Sequence, residues 1–134
     1  MERLLDLSDK YLEMGKEYYS NAEECIKKDE LRKASELLWG AVTQFVKALA
    51  LLFNVRISKH NDFFNFIRQI SEEIGNKDYN TLFLELNLLH RNFYDEEIPP
   101  DSFPMFYEKT QLFLEKTKEL MRKRQGNLKD RSES

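Results

Sequence analysis

The sequence of 134 residues has few of the residues on which many catalytic motifs depend: one cysteine, two histidines and four glycines. The single cysteine, Cys25, cannot form an intramolecular disulfide or a thiolate zinc site, which favours a reducing compartment. The four glycines form neither a Walker loop nor a dinucleotide-binding GxGxxG pattern, and no GxSxG nucleophile elbow is present. These absences argue against several common classes of enzyme.

The sequence also lacks a long hydrophobic run. Its longest candidate, residues 48–53, is far shorter than the roughly 18 apolar residues that a membrane-spanning helix needs. The N-terminus leads directly into a charged amphipathic pattern, without the apolar stretch of a signal peptide. The net charge of −3 argues against a generally basic nucleic-acid-binding protein. We therefore expect a cytoplasmic protein with no membrane partner.

The sequence contains enough apolar residues to form one hydrophobic core. Hydrophobic residues make up 41% of the chain and aromatic residues 13%, and the length is typical of a single domain. Apolar residues recur three and four apart, and no alternating run demands a sheet. We predict an all-α fold, an up-and-down bundle of about five helices over residues 1–125, followed by a polar C-terminal tail over residues 126–134.

The predicted helices follow from periodicity and capping residues. They cover residues 2–28, residues 30–53, a third helix capped by Asn61 or Asp62 and stopped at residues 75–76, residues 78–94, and a fifth helix from residue 101 or 102 to about 124. Asp29 can cap the second helix. That helix is apolar nearly all round, so we expect it at the bundle centre, with close packing at Gly40.

The most function-like segment is the end of the fourth helix. His90, Arg91, Asn92 and Tyr94 bring together an imidazole, a cation, an amide and a phenol, which are groups that bind or polarise a phosphate or a base. His90 and Tyr94 share one helix face, and Arg91 points about 100° away. The same residues also suit structural roles, because Tyr94 can close the core, Asn92 can cap the helix and His90 can bond a backbone carbonyl.

Three residues elsewhere are further candidates for a binding cleft. Lys47 interrupts an apolar helix and either reaches the surface or lines a cleft as a phosphate-binding cation. Trp39 suits the core, an interface or a stacking role. His60 opens the third helix, but neither histidine has the HxxxH or HxxE spacing of a metal site, so we predict no metal and no cofactor.

Several of these elements resemble the archaeal PaREP family within the HEPN superfamily. The resemblance is carried by Leu38-Trp39-Gly40-Ala41 and Val46-Lys47-Ala48-Leu49-Ala50 on the second helix, by His60, and by Leu89-His90-Arg91-Asn92-Phe93-Tyr94, and it spans roughly residues 30–120. It implies a helical bundle that commonly dimerises, in a superfamily that includes metal-independent ribonucleases of toxin systems and nucleotide-associated partner modules. The ribonucleases carry an arginine, then four to six residues, then a histidine. No histidine follows Arg91 in this chain, so that motif is not intact.

We therefore hypothesise a non-catalytic HEPN-like module, acting in a toxin–antitoxin or defence system, that binds a nucleotide, RNA or partner protein. The binding residues would be His90, Asn92 and Tyr94, joined by Lys47, His60 and Trp39. One alternative is a metal-independent ribonuclease in which His90 is the acid or base and Arg91 stabilises phosphate charge. Another is a purely structural protein that dimerises or docks through a helical face. In each case we expect a homodimer.

Overall fold

The computed structural model describes residues 2–95 and 97–133, with side chains described for residues 3–95 and 97–128. Within these ranges the chain forms five α-helices and one short 3-10 helix, and no strand. The helices are α1 (Glu2–Lys27), α2 (Leu31–Leu52), α3 (His60–Ile74), α4 (Lys77–Asp95) and α5 (Phe103–Glu133), and the 3-10 helix is Pro100–Ser102. The predicted all-α bundle is confirmed.

Three helices end in the same local structure. Asp29, Asn54 and Gly75 have positive φ angles of 57°, 60° and 66°. After each of them, the amide of the next residue donates to a carbonyl in the last helical turn, as in the 2.9 Å bond from Glu30 N to Cys25 O. This is the Schellman motif, which satisfies carbonyls that the helix leaves free. Asp29 therefore ends α1, and the prediction that it caps α2 is wrong, because α2 begins without a side-chain cap.

The starts of α3 and α4 also differ from the predicted caps. Asp62 lies inside the first turn of α3, where its carboxylate accepts hydrogen bonds from the amides of Lys59 (2.9 Å) and Ser58 (3.1 Å). These two backbone donors lower the pKa of Asp62, since they favour its charged form. α4 begins at Lys77, one residue before the predicted start, and Asn76 caps it by accepting an amide hydrogen bond from Tyr79 at 3.3 Å.

The predicted central helix is α2. Thirteen of its 22 residues are buried, and it packs along α1 and against α4 and α5. By length and composition alone α2 could cross a membrane, but 67% of its most apolar 18-residue window is buried inside the bundle. An apolar helix that is covered on several sides is the usual core helix of a helical domain.

α1 and α2 pack tightly at Gly15. A Cβ atom at this position would lie 2.5 Å from Cδ1 of Phe45 and 3.3 Å from the carbonyl oxygen of Ala41. At Gly40, where the sequence predicted close packing, a Cβ atom would lie 3.4 Å from the ring of Tyr18, which is an ordinary contact. The position that requires a glycine is therefore Gly15.

A buried tyrosine joins α4 to α5. The Tyr79 ring stacks on Phe113 with a centroid separation of 4.6 Å, and its hydroxyl is hydrogen bonded to Thr117 at 2.7 Å. Burial raises the pKa of Tyr79, because the phenolate would lose its hydration. This contact fixes the helix that carries His90 against the last helix of the bundle.

α5 is longer than the sequence predicted. It continues to Glu133 instead of ending near Arg124, so the predicted polar tail over residues 126–134 is helical through residue 133. Arg124 donates to the carbonyl of Leu52 at 3.0 Å and lies over the Phe53 ring at 4.5 Å, which covers the C-terminal end of α2. Leu128 also packs against the core, and this contact supports the extra turns.

We predict opposite effects of alanine at Gly15 and at Gly40. Alanine is favoured over glycine in a helix by about 1 kcal/mol, so Gly40→Ala, which adds only an ordinary contact, should raise the unfolding free energy by up to that amount. Gly15→Ala must displace the buried Phe45 ring, so it should lower the unfolding free energy by about 1–3 kcal/mol. Urea denaturation measures both, and a stabilising Gly15→Ala would contradict the packing described here.

Candidate functional site

The first turns of α2 hold the last turns of α4 through three polar contacts, which we call the α2–α4 seam. Arg32 donates to the carbonyl of Phe93 at 2.7 and 3.1 Å, Asn92 donates to Ser35 Oγ at 2.9 Å, and His90 Nδ1 lies 2.9 Å from Glu36 Oε2. Residues 32, 35 and 36 lie on one face of α2 because they are three and four apart. The seam fixes the rotation of α4 and thus the direction in which His90 points.

Asn92 belongs to the scaffold of this seam. It is 3% exposed, its amide nitrogen donates to Ser35, and its carbonyl oxygen accepts from the backbone amide of Ile98 at 2.7 Å. The Ser35 hydroxyl in turn donates to the Leu31 carbonyl at 2.8 Å. Since these groups satisfy one another, Asn92 ties the loop after α4 to the bundle and is not available to a ligand in the cleft.

His90 lies at the centre of an aromatic and polar cluster. The histidine cluster, as we call it, consists of Glu36, Trp39, His60, His90 and Tyr94. The His90 ring stacks on Trp39 with a centroid separation of 6.1 Å, lies 6.1 Å from the ring of His60, and meets Tyr94 edge to face at 5.3 Å. α2, α3 and α4 all contribute side chains, so the cluster forms only when the bundle folds.

The contact with Glu36 determines which tautomer the neutral His90 ring adopts. Both carboxylate oxygens lie within 3.1 Å of Nδ1, and a carboxylate only accepts hydrogen bonds, so the ring hydrogen lies on Nδ1. Nε2 is then left as an acceptor or base. A carboxylate that orients an imidazole in this way is a common arrangement in sites for proton transfer.

The members of the cluster differ in exposure. Tyr94 is 63% exposed and His60 is also exposed, whereas the side chains of His90 and Glu36 are about one third exposed. Trp39 is 4% exposed, so it supports the His90 ring from below and offers no open stacking surface. A ligand would therefore meet His60, His90 and Tyr94 first.

Two predicted site residues lie apart from the cluster. Lys47 is eleven residues along α2 from Glu36, a distance of about 16 Å, and its Nζ lies 5.5 Å from the centroid of the Tyr11 ring on α1. Arg91 is exposed and forms an ion pair with Glu97 at 2.9 Å across the loop after α4. The structure brings together His60, Trp39, His90 and Tyr94, but not Lys47 or Arg91.

The sequence reasoning missed Glu36. Its signal was present, because Glu36 is the single acidic residue of α2 and lies three positions before Trp39, so the two share a helix face. Its partner could not be found from the sequence, because His90 is 54 residues away. Among the described residues, no group of three His, Cys, Asp or Glu side chains is arranged to hold a metal ion.

The protein is therefore an all-helical bundle that carries the histidine cluster at one edge. The sequence profile of the Archaeal PaREP1/PaREP8 family matches residues 10–124, a range that includes every residue of the cluster and most of the five helices. The chain therefore belongs to this family. No curated protein sequence matches it.

We predict that Glu36 decides which nitrogen of His90 carries the hydrogen. In the neutral wild-type protein, long-range ¹H–¹⁵N spectra should show the Nδ1–H form of His90, and Glu36→Ala should shift His90 to a mixture dominated by the Nε2–H form. Glu97→Gln serves as a control because it removes a neighbouring carboxylate that pairs with Arg91. An unchanged His90 spectrum in Glu36→Ala would refute the assignment.

Proposed function

We propose that the protein binds nucleotides or single-stranded RNA at the histidine cluster. The observation that carries this proposal is the pair of imidazole rings from two helices, His60 and His90, at 6.1 Å beside the exposed ring of Tyr94. Imidazole and phenol rings stack on nucleobases, and protonated imidazoles contact phosphates. A base with an attached phosphate therefore fits the chemistry of this edge.

The local charge supports an anionic ligand. Arg56 and Lys59 are exposed in the connector that leads to His60, and both carry a positive charge near the N-terminus of α3. The positive end of the α3 dipole lies at the same place, where the Asp62 carboxylate offsets part of this charge. Because the whole chain carries a net charge of −3, binding would depend on this local patch and weaken as salt is added.

The Glu36–His90 pair favours a second candidate function, metal-independent cleavage of RNA. His90 Nε2, oriented through Glu36, would take the proton of a ribose 2′-hydroxyl, and the resulting oxygen would attack the adjacent phosphorus. A protonated His60 would give its proton to the leaving 5′-oxygen. The products would be a 2′,3′-cyclic phosphate and a 5′-hydroxyl end, so no cofactor is consumed.

We propose that the family is a branch of the HEPN superfamily, that the chain acts as a homodimer, and that it takes part in a toxin–antitoxin or defence system. These proposals rest on the sequence elements around Trp39 and His90. The ribonucleases of that superfamily have a histidine after the arginine, and the oriented imidazole of this chain is instead His90, which precedes Arg91.

Binding can be followed through the single tryptophan, since Trp39 stacks directly under His90. We predict that a short single-stranded RNA changes Trp39 fluorescence and binds with micromolar to millimolar affinity at low salt. Replacing both exposed rings, His60→Ala with Tyr94→Ala, should weaken binding at least about tenfold, because each stacked base contributes about 1–3 kcal/mol.

Lys47→Gln is the matched control for binding, because it removes a cation of α2 that lies outside the cluster. Its affinity should stay within about threefold of wild type, as expected for a residue that makes no ligand contact. If the double variant binds RNA and mononucleotides as tightly as wild type, or if wild type binds neither, the proposed site is wrong.

The same samples test the cleavage reaction in a buffer containing a chelator. Cleavage by His90 should yield cyclic-phosphate ends from RNA, leave the matching DNA intact, and fall by about 100-fold or more in His90→Ala. Cleavage that persists unchanged in His90→Ala would exclude this second function. Binding without any cleavage would leave the binding proposal standing alone.

A further inference from the structure

A groove lies between α3 and α4 at the end of the bundle opposite to His60 and His90. It has a volume of about 500 Å³ and runs from the last turns of α3 to the first turns of α4. Its polar lining comes from Arg68, Ser71, Glu72, Lys77, Asn80 and Thr81. Ser71 lies eleven residues along α3 from His60, which is about 16 Å, so this α3–α4 groove is separate from the histidine cluster.

Ser71 is exceptional among the buried hydroxyl groups of the described residues. Ser8, Ser35, Thr110 and Thr117 each donate to a backbone carbonyl at 2.8 Å. Ser71 is 3% exposed, yet its hydroxyl has no hydrogen-bond partner. A buried hydroxyl without a partner destabilises the protein. Because Ser71 lines the groove, a ligand toward which its hydroxyl rotates would remove this cost.

The other groups around Ser71 indicate the charge of that occupant. Arg68 and Lys77 are exposed, and no ion pair joins either of them to a described residue. Lys77 is the first residue of α4, where backbone amides have no acceptor within the helix and the helix dipole is positive. Among the residues that line the groove, Glu72 offsets one of the two cations and leaves one positive charge. Asp78, in the first turn of α4, does not line the groove.

We propose that the α3–α4 groove binds a phosphate group. Arg68 and Lys77 supply charge-assisted donors, the first turn of α4 supplies the amides that Asn76 does not cap, and Ser71 supplies a buried hydroxyl that donates to a phosphate oxygen. Inorganic phosphate and the phosphate of a mononucleotide share this chemistry. The inference does not depend on the function proposed for the histidine cluster.

The test is a titration of ¹⁵N-labelled protein at constant ionic strength with inorganic phosphate, adenosine 5′-monophosphate and adenosine, with a separate titration of sodium chloride as the salt control. The first two should shift the amides of Ser71 and Lys77 with a Kd of about 1–10 mM or below, and the last two should not. Tighter binding of the nucleotide by about tenfold would identify a nucleotide as the ligand, and equal binding would identify free phosphate. No shift with either phosphate compound would overturn the proposal.

Substitutions in the α3–α4 groove test whether the amide shifts come from phosphate bound there. Arg68→Gln with Lys77→Gln should weaken phosphate binding at least about tenfold, whereas Lys10→Gln with Lys28→Gln, which removes two exposed cations elsewhere, should change it less than about threefold. Ser71→Ala should also weaken phosphate binding several-fold, but it should raise the Tm in phosphate-free buffer because it removes an unpartnered hydroxyl. Unchanged phosphate affinity in either groove variant would overturn the proposal. His60→Ala with Tyr94→Ala should still bind phosphate here.

Discussion

The interaction on which the candidate site depends is the hydrogen bond between Asn92 and Ser35. It places a fully buried amide between α2 and α4, and the same amide holds the backbone of Ile98 in the following loop. A buried amide that loses its partner costs about 1–3 kcal/mol, so this pair fixes the register of the two helices. With that register set, Glu36 and His90 meet on the adjacent edge at 2.9 Å.

The last turn of α4 therefore carries both structural residues and candidate site residues. Asn92 faces the interior, whereas His90 and Tyr94, four residues apart, face the open edge of α4. His60 lies at the same edge, at the start of α3. The Asp62 carboxylate stabilises the first turn of that helix. This arrangement explains how a small bundle orients an imidazole, because the Glu36 carboxylate that bonds His90 lies on a rigid core helix.

Most of the fold was predictable because helix periodicity is a local signal. The central position of α2 followed from its apolar residues, and the stop at Gly75 followed from a standard capping signal. The site was less predictable, because Glu36 and His90 are far apart in sequence and their contact depends on helix register. The predicted cap at Asp29 was wrong because aspartate suits both a helix N-cap and a left-handed turn. The position of Lys47 could not be predicted because the sequence alone does not show which neighbouring helix a lysine contacts.

The most direct test of this account compares the unfolding free energies of three variants in urea. Asn92→Ala should lose about 2–3 kcal/mol, because it leaves the Ile98 amide without an acceptor and removes the hydrogen bond that Ser35 Oγ accepts. Tyr94→Ala, at an exposed ring, should lose less than about 0.5 kcal/mol, and His90→Ala should fall between them at about 1 kcal/mol. Comparable losses for Asn92→Ala and Tyr94→Ala would contradict the division of this segment into scaffold and site.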